Sequence, residues 1–304
     1  MGASGRTLRR RRSGLILIPF ALFASTSTVS AQTRAALTVL AFEAAADNPG
    51  RAADNLTWYT TLREALQSQV RGSVDMFLEY MPRSEGASLA FRDYIRQRYR
   101  DQRPDLIVAA ASEHLFVLRY RDELFPETPV VTGVGWAPDE SMRQAGAGIA
   151  AVVFAGALRE TLALALRLHP ATEQVYVLVG RSPRFVPQLR AELQPIAGQI
   201  PLNFVADLPV PEMIETVRNV PADSVIFYLN YVQEIRGQTL SELQVAAMVA
   251  NASPAPVYGF MEMYIGSGVV GGAMLTPRQE ATQLATLAAR VLDDERAGDI
   301  PSSA

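Results

Sequence analysis

Two histidines, no cysteine and no lysine leave this 304-residue chain few side chains for covalent or acid–base chemistry. Without cysteine there is no disulfide, no thiolate metal site and no sulfur nucleophile. Without lysine there is no Schiff base and no phosphate-loop ammonium. His114 opens an apolar helical run, where capping and packing compete with ligand contact. His169 precedes Pro170 at a helix C-terminus, a structural position that favours its partial charge. Residues Gly266 to Gly271 spell G-x-G-x-x-G, but Val269-Val270 lead into an extended segment, and a dinucleotide loop must open a helix. No serine elbow, no H-E-x-x-H and no clustered metal ligands occur. Asp293-Asp294-Glu295 reads as an exposed helix end. The chain is therefore read as non-enzymatic, with no cofactor and no metal.

What remains is recognition chemistry. Trp136, after a Gly-x-Gly turn, could stack on a ring or an aliphatic chain, or pack beside a hinge. Arg181 and Arg184, flanking Ser182, could grip a carboxylate in bidentate fashion, although arginines in a turn are commonly solvated. Glu262 with Tyr264 could hold an ammonium or a hydroxyl group, or serve only as a structural hydrogen bond.

The elements that must position these groups alternate. Ala36–Phe42, Val74–Tyr80, Leu106–Ala111 and Val130–Val134 read as strands, mostly apolar without alternation and hence buried on both faces. Between them lie helices over Leu56–Val70, capped by Asn55 after a polar loop Asp47–Asp54 and ended near Gly72, then Leu89–Arg100 and His114–Leu124. From Gly146 the pattern restarts. Strands are predicted at Ile149–Phe154, Gln174–Gly180, Leu202–Val205, Ser224–Tyr228, Val257–Phe260 and Val269–Met274. The helices are Leu158–Leu168, Pro187–Ala197, Pro211–Val220, Leu240–Ala250 and Arg278–Leu292, the last starting at Thr276-Pro277. One unit occurs twice: a buried strand, a helix, and a second strand announced by Pro-Val, at 103–133 and 223–259. This predicts an α/β protein of two Rossmann-like lobes joined by a hinge. Lobe 1 covers 32–146, with 262–304 returning to it, and lobe 2 covers 147–261. In such sheets ligands sit beyond the carboxyl ends of the strands. That rule selects Glu43, Ser112, Glu113, His114 and Trp136 in the first lobe, Arg181, Ser182, Asn230 and Tyr231 in the second, and Glu262 and Tyr264 at the crossing.

The N-terminus has its own grammar. Arg9 to Arg12, an apolar run Leu15–Ala24 and the close Val29-Ser30-Ala31 describe a secretory signal over 1–31, cleaved after Ala31, with a periplasmic destination. The run is shorter than the roughly 20 apolar residues of a membrane span. All 28 basic residues are arginine, and five precede Ser13, so the remainder carries a net charge near −8. Nothing in that balance favours nucleic acid or an anionic membrane.

Several pieces together resemble one family: Glu79-Tyr80, Tyr99, Pro104 to Ile107, Tyr120 to Pro126, Pro129 to Val131, Arg167 to Pro170, Pro256 to Gly259 and Gly268 to Gly272. As an ordered set, from about Leu37 to Leu292, they are similar to the extracytoplasmic solute-binding proteins of ABC transporters. They are most similar to the subgroup that also forms the N-terminal sensor domain of histidine kinases. The resemblance implies the type I periplasmic-binding-protein fold, a small molecule clamped between the lobes, and a membrane permease as partner. A sensor kinase, with the chain as its input domain, is the alternative. Two departures bear on the ligand. Family members often carry an acid directly after the third strand, where this chain has Ala110-Ala111-Ser112 before Glu113. They also tend to carry an Asp after Tyr228, where it has Asn230, Gln233 and Glu234.

Overall fold

The central strands form because each is a short β-branched or apolar run that finds a covered surface on both sides. In the computed structural model, which describes residues 1–2, 36–46, 49–82, 88–110, 113–134, 148–180, 186–230, 233–235 and 238–300, these runs assemble into two parallel sheets. The first has the order β2-β1-β3-β4-β5, from β1 (Leu37–Ala44), β2 (Val74–Met81), β3 (Leu106–Ala109), β4 (Val130–Val134) and β5 (Ile149–Val153). The second has the order β11-β8-β6-β7, from β6 (Gln174–Val179), β7 (Leu202–Ala206), β8 (Ser224–Asn230) and β11 (Val257–Tyr258). Both lie within one compact unit, Ala35–Ala304.

Alternation along each strand sends its side chains to opposite faces. In β1, Val39 and Ala41 enter the core beneath α1 (Pro49–Gln69) and α8 (Pro277–Leu292), while Leu40 and Phe42 face α2 (Ser88–Arg98) and α3 (His114–Leu124). In β6, Val175, Val177 and Val179 meet α4 (Ala155–Leu168) and α5 (Val186–Ala197). Leu178 on the same strand meets α6 (Val210–Arg218) and α7 (Glu242–Ala252). Each sheet is thus a layer between helices, and a fully buried Leu, Val or Phe in it contributes about 1.5–3 kcal/mol.

The C-terminal helix completes the first sheet. Leu284, Ala285 and Ala288 of α8 share a core with Trp58, Leu62 and Leu66 of α1. Its start is set by a capping box: the Gln279 amide donates to Thr276 Oγ1 at 3.1 Å, and Gln279 Oε1 accepts from the Thr276 amide at 3.1 Å, with Pro277 in the first turn. A second such box, Ser241 with Gln244, opens α7.

Three expectations need correction. The strand at Ile149 was expected to open the second lobe. It is the fifth strand of the first sheet, paired with β4 from Val130↔Ile149 to Val134↔Val153, because its run is apolar enough to be covered on both sides there. Gly146, the expected break, lies outside the described residues. Asn55 does not cap a helix. The helix already begins at Pro49, and Asn55 is buried within it, donating from Nδ2 to the Ala44 carbonyl at 2.7 Å. Val269–Met274 forms no strand: Gly271 makes one isolated parallel bridge with Tyr258, and Leu275 just beyond makes another with Met261. The stretch after Tyr228 also holds a small antiparallel hairpin, β9 (Gln233–Ile235) with β10 (Gln238–Leu240).

Those bridges belong to the passage between the sheets. The chain leaves the first sheet through Phe154 and returns to α8 through residues 259–276. There, Leu275 donates to the Phe260 carbonyl at 2.7 Å and Gly259 to the Gly271 carbonyl at 3.1 Å. Gly272 is a glycine for want of room: an added Cβ would lie 2.1 Å from the Gly259 carbonyl oxygen and 2.8 Å from Thr161. Thr161 also accepts from the Ala273 amide at 3.0 Å, tying α4 to the returning segment.

Candidate functional site

Strand ends and helix starts converge on one cavity of about 160 Å³. Its floor comes from the first sheet: Glu43 near the end of β1, Ala110 after β3, and Arg51, Asp54, Asn55 and Trp58 from the first turns of α1. Thr276 and Glu280, at the start of α8, stand beside them. The second sheet contributes Leu229 of β8 and Glu242 of α7, and Phe154 and Phe260 to Tyr264 come from the crossing segments. The space is bordered by elements of both sheets, at the carboxyl ends of the strands.

The wall is aromatic where it is neutral and acidic where it is charged. Trp58, Phe154, Phe260 and Tyr264 supply rings, and Met261 and Met263 supply polarisable sulfur. Glu43, Asp54, Glu242, Glu262 and Glu280 supply carboxyl groups against the single guanidinium of Arg51 among the described residues.

Arg51 is committed to the acids. Its Nη2 lies 3.6 Å from Glu43 Oε1, its Nη1 donates to Met263 Sδ at 3.3 Å, and its side chain is only 10% exposed. Burial alone would lower its pKa; the fields of Glu242, Glu43, Glu113 and Glu280 more than offset that and hold it above the ordinary value. It remains charged at every physiological pH.

Asp54 and Glu262 differ from the other acids. Neither side chain makes a hydrogen bond or ion pair with any described residue. Burial raises the pKa of Asp54, the Arg51 charge opposes this, and Glu262 adds to it. The folded state therefore holds a proton on Asp54 more tightly than the unfolded chain does. Stability is full below the unfolded value, about pH 4, falls as pH rises through the raised folded value, and is level above it. Asp54→Asn is accordingly expected to stabilise the ligand-free protein at pH 7 by up to about 1 kcal/mol, and to give no gain near pH 3. Urea denaturation at the two pH values measures this.

Tyr264 has a structural duty as well. Its hydroxyl donates to the Leu229 carbonyl at 2.6 Å, and its ring meets Tyr228 edge-on with centroids 5.1 Å apart. Gly259 lies beneath it, where a Cβ would come within 2.8 Å of the ring. The Trp58 indole is 2% exposed, and its buried N–H has no acceptor among the described residues.

Of the sequence-selected residues, the structure brings Glu43, Glu262 and Tyr264 into this cavity. Glu113 is buried and His114 half-buried at the start of α3, outside the wall, although the Glu113 charge reaches Arg51. Asn230 ends β8, and its side chain is not described. Ser112, Trp136, Arg181, Ser182 and Tyr231 lie outside the described residues. Arg51, Asp54, Trp58, Glu242 and Glu280 were not anticipated. Part of the signal was present: Arg51, Asp54 and Glu242 sit in the first two turns of helices that follow strands, and Glu280 in the first turn of α8, where helix starts face a ligand.

No protein-family model and no curated protein matches the sequence. Solved structures do resemble the fold. An ABC domain from Streptococcus pneumoniae in complex with L-Trp superposes with a TM-score of 0.60 at 14% identity, over 88% of each chain. A conserved domain protein from Vibrio cholerae gives 0.59 at 15% identity, again over 88% of each chain. The branched-chain amino acid transporter substrate-binding protein of Streptococcus pneumoniae, in complex with isoleucine, gives 0.57 at 7% identity over 86% of each. Among the described residues no helix is long and apolar enough to cross a membrane. With its two parallel sheets, crossing segments and cavity between them, the chain has the type I fold of the ABC solute-binding proteins.

Proposed function

We propose that the protein is exported, with cleavage after Ala31, and captures a small molecule between two lobes for delivery to an ABC permease. One observation carries this reading: the cavity is walled by strand ends and helix starts of both sheets. A molecule held there gains contacts in the closed arrangement that the open one lacks, so binding shifts the equilibrium toward closure. We place the lobe boundary at Phe154 and assign α8 to the first lobe, since its apolar face packs on α1 and the first sheet. Within the cavity, Glu43, Asp54, Trp58, Glu262 and Tyr264 form the contact surface.

The size suits the role. A cavity on the order of 150 Å³ admits benzene, so about 160 Å³ fits a single ring or a short branched chain with one polar end. On this reading the protein holds its ligand and releases it unchanged.

A thermal-shift screen of the chain beginning at Gln32 tests the reading. A ligand at 100 times its Kd should add about 2.7 kcal/mol of stability, with a smaller radius of gyration by X-ray scattering. No shift across a broad metabolite panel, with nothing copurifying, would overturn it. Stimulation of a permease ATPase by the loaded protein supports transport. A loaded protein that instead alters the autophosphorylation of a kinase moves the partner to signalling.

A further inference from the structure

The reading of the cleft as a solute site leaves its ligand unspecified, and the charges of the wall narrow it. Arg51 would be the natural receptor for a carboxylate, yet the fields of Glu43, Glu113, Glu242 and Glu280 surround it. An anion entering here meets a guanidinium already compensated more than once. Asp54 and Glu262 are less compensated: two carboxyl groups on the wall, near enough for Glu262 to disfavour ionisation of Asp54, with no salt bridge to either among the described residues and only the field of Arg51 acting on Asp54. Two carboxyl groups facing a shared space disfavour each other's ionisation, and a positive charge between them lets both ionise.

The neutral part of the wall agrees. Trp58, Phe154, Phe260 and Tyr264 line the same cavity. Aromatic faces attract ammonium groups through the ring quadrupole, most strongly where water is excluded. Independently of the acids, the buried indole N–H of Trp58 calls for an acceptor, which the described residues do not supply.

Resting on the solute-binding reading, we propose that the cleft selects a small organic cation, an amine or quaternary ammonium compound. Its charged end lies between Asp54 and Glu262 and against the rings, and its other end offers an oxygen acceptor to Trp58. Neutral and anionic molecules of the same shape are discriminated against, because they leave the half-buried Asp54 and the exposed Glu262 without a counter-charge.

Matched sets of isosteres test this by calorimetric titration of the chain beginning at Gln32. One set is choline, 3,3-dimethylbutan-1-ol and 3,3-dimethylbutyrate. The other is 2-phenylethylamine, 2-phenylethanol and phenylacetate. In at least one set the cation should bind about tenfold or more tighter than its neutral and anionic partners. Asp54→Asn and Glu262→Gln should each cost that cation about tenfold and narrow its advantage over the neutral isostere. Equal or tighter binding of a neutral or anionic isostere overturns the inference, as does a cation whose affinity ignores both substitutions. If none of the six binds, the metabolite panel decides. A cation found there supports the inference; a neutral or anionic ligand overturns it and leaves solute binding intact. Only a protein that binds nothing overturns both.

Discussion

Arg51→Met is expected to lower the stability of the folded chain by about 3 kcal/mol, whatever it does to ligand affinity. The guanidinium is nine-tenths buried, 3.6 Å from Glu43, in the fields of Glu113, Glu242 and Glu280. Methionine fills similar volume and keeps the apolar stem, so packing is not what is lost. The loss is the compensation of charge in a site from which water is largely excluded, where removing one partner of a buried pair leaves the other exposed to its full desolvation cost. Urea denaturation of the single and double variants separates this from a packing effect. Glu43→Gln added to Arg51→Met should recover a substantial part of the deficit, which additive, independent effects would not allow. If the single variant loses less than about 1 kcal/mol, Arg51 behaves as a solvated surface ion and the electrostatic account of the cavity fails.

A second large effect is expected in α8. Leu284 is fully buried between α1 and the first sheet, beside Leu62 and Ala285. Leu284→Ala should cost about 3 kcal/mol, read as a lower urea midpoint with unchanged slope. A chain ended after Thr276 should lose the cooperative transition of the first sheet altogether, since its Trp58 and Leu62 face would be uncovered. A truncated chain that still unfolds cooperatively at a similar midpoint would show that α8 is dispensable.

The strands were legible because a strand covered on both faces must be apolar at every position, and runs such as those in β1, β3 and β6 have few other uses. The helix start at Thr276-Pro277 was legible for an equally local reason, the capping chemistry of Thr with Gln three residues on. The errors came where a non-local partner decides. Asn55 reads as a cap in isolation, and only the Ala44 carbonyl beside it shows why a polar residue is buried one turn into α1. Ile149–Val153 is equally fit for either sheet, and the pairing with β4 settles its place. Val269 to Met274 carries the β-branched pair of a strand, but Gly271 and Gly272 must slip past Gly259, leaving single bridges in place of a ladder.

The site followed the same division. Glu43, Glu262 and Tyr264 were accessible to the rule that ligands gather beyond strand ends. Arg51 and Asp54 were missed because the polar segment Asp47–Asp54 was read as a loop, when from Pro49 it is the opening of α1. Glu242 and Glu280 were hidden in runs that look like ordinary solvated helix starts. Nothing in their own neighbourhood says that both line the same cavity.

The pairing of α1 with α8 has a consequence for the life history of the chain. Residues 49–69 leave the ribosome more than two hundred positions before the helix that covers them. Until Leu284 and Ala288 are made, the apolar stripe of Trp58, Leu62 and Leu66 has no lid, and the first lobe cannot close its core as a unit during synthesis. A nascent chain held loose in this way stays available to chaperones. Late arrival of the last helix thus works as a timer, postponing the native state until the whole chain is made.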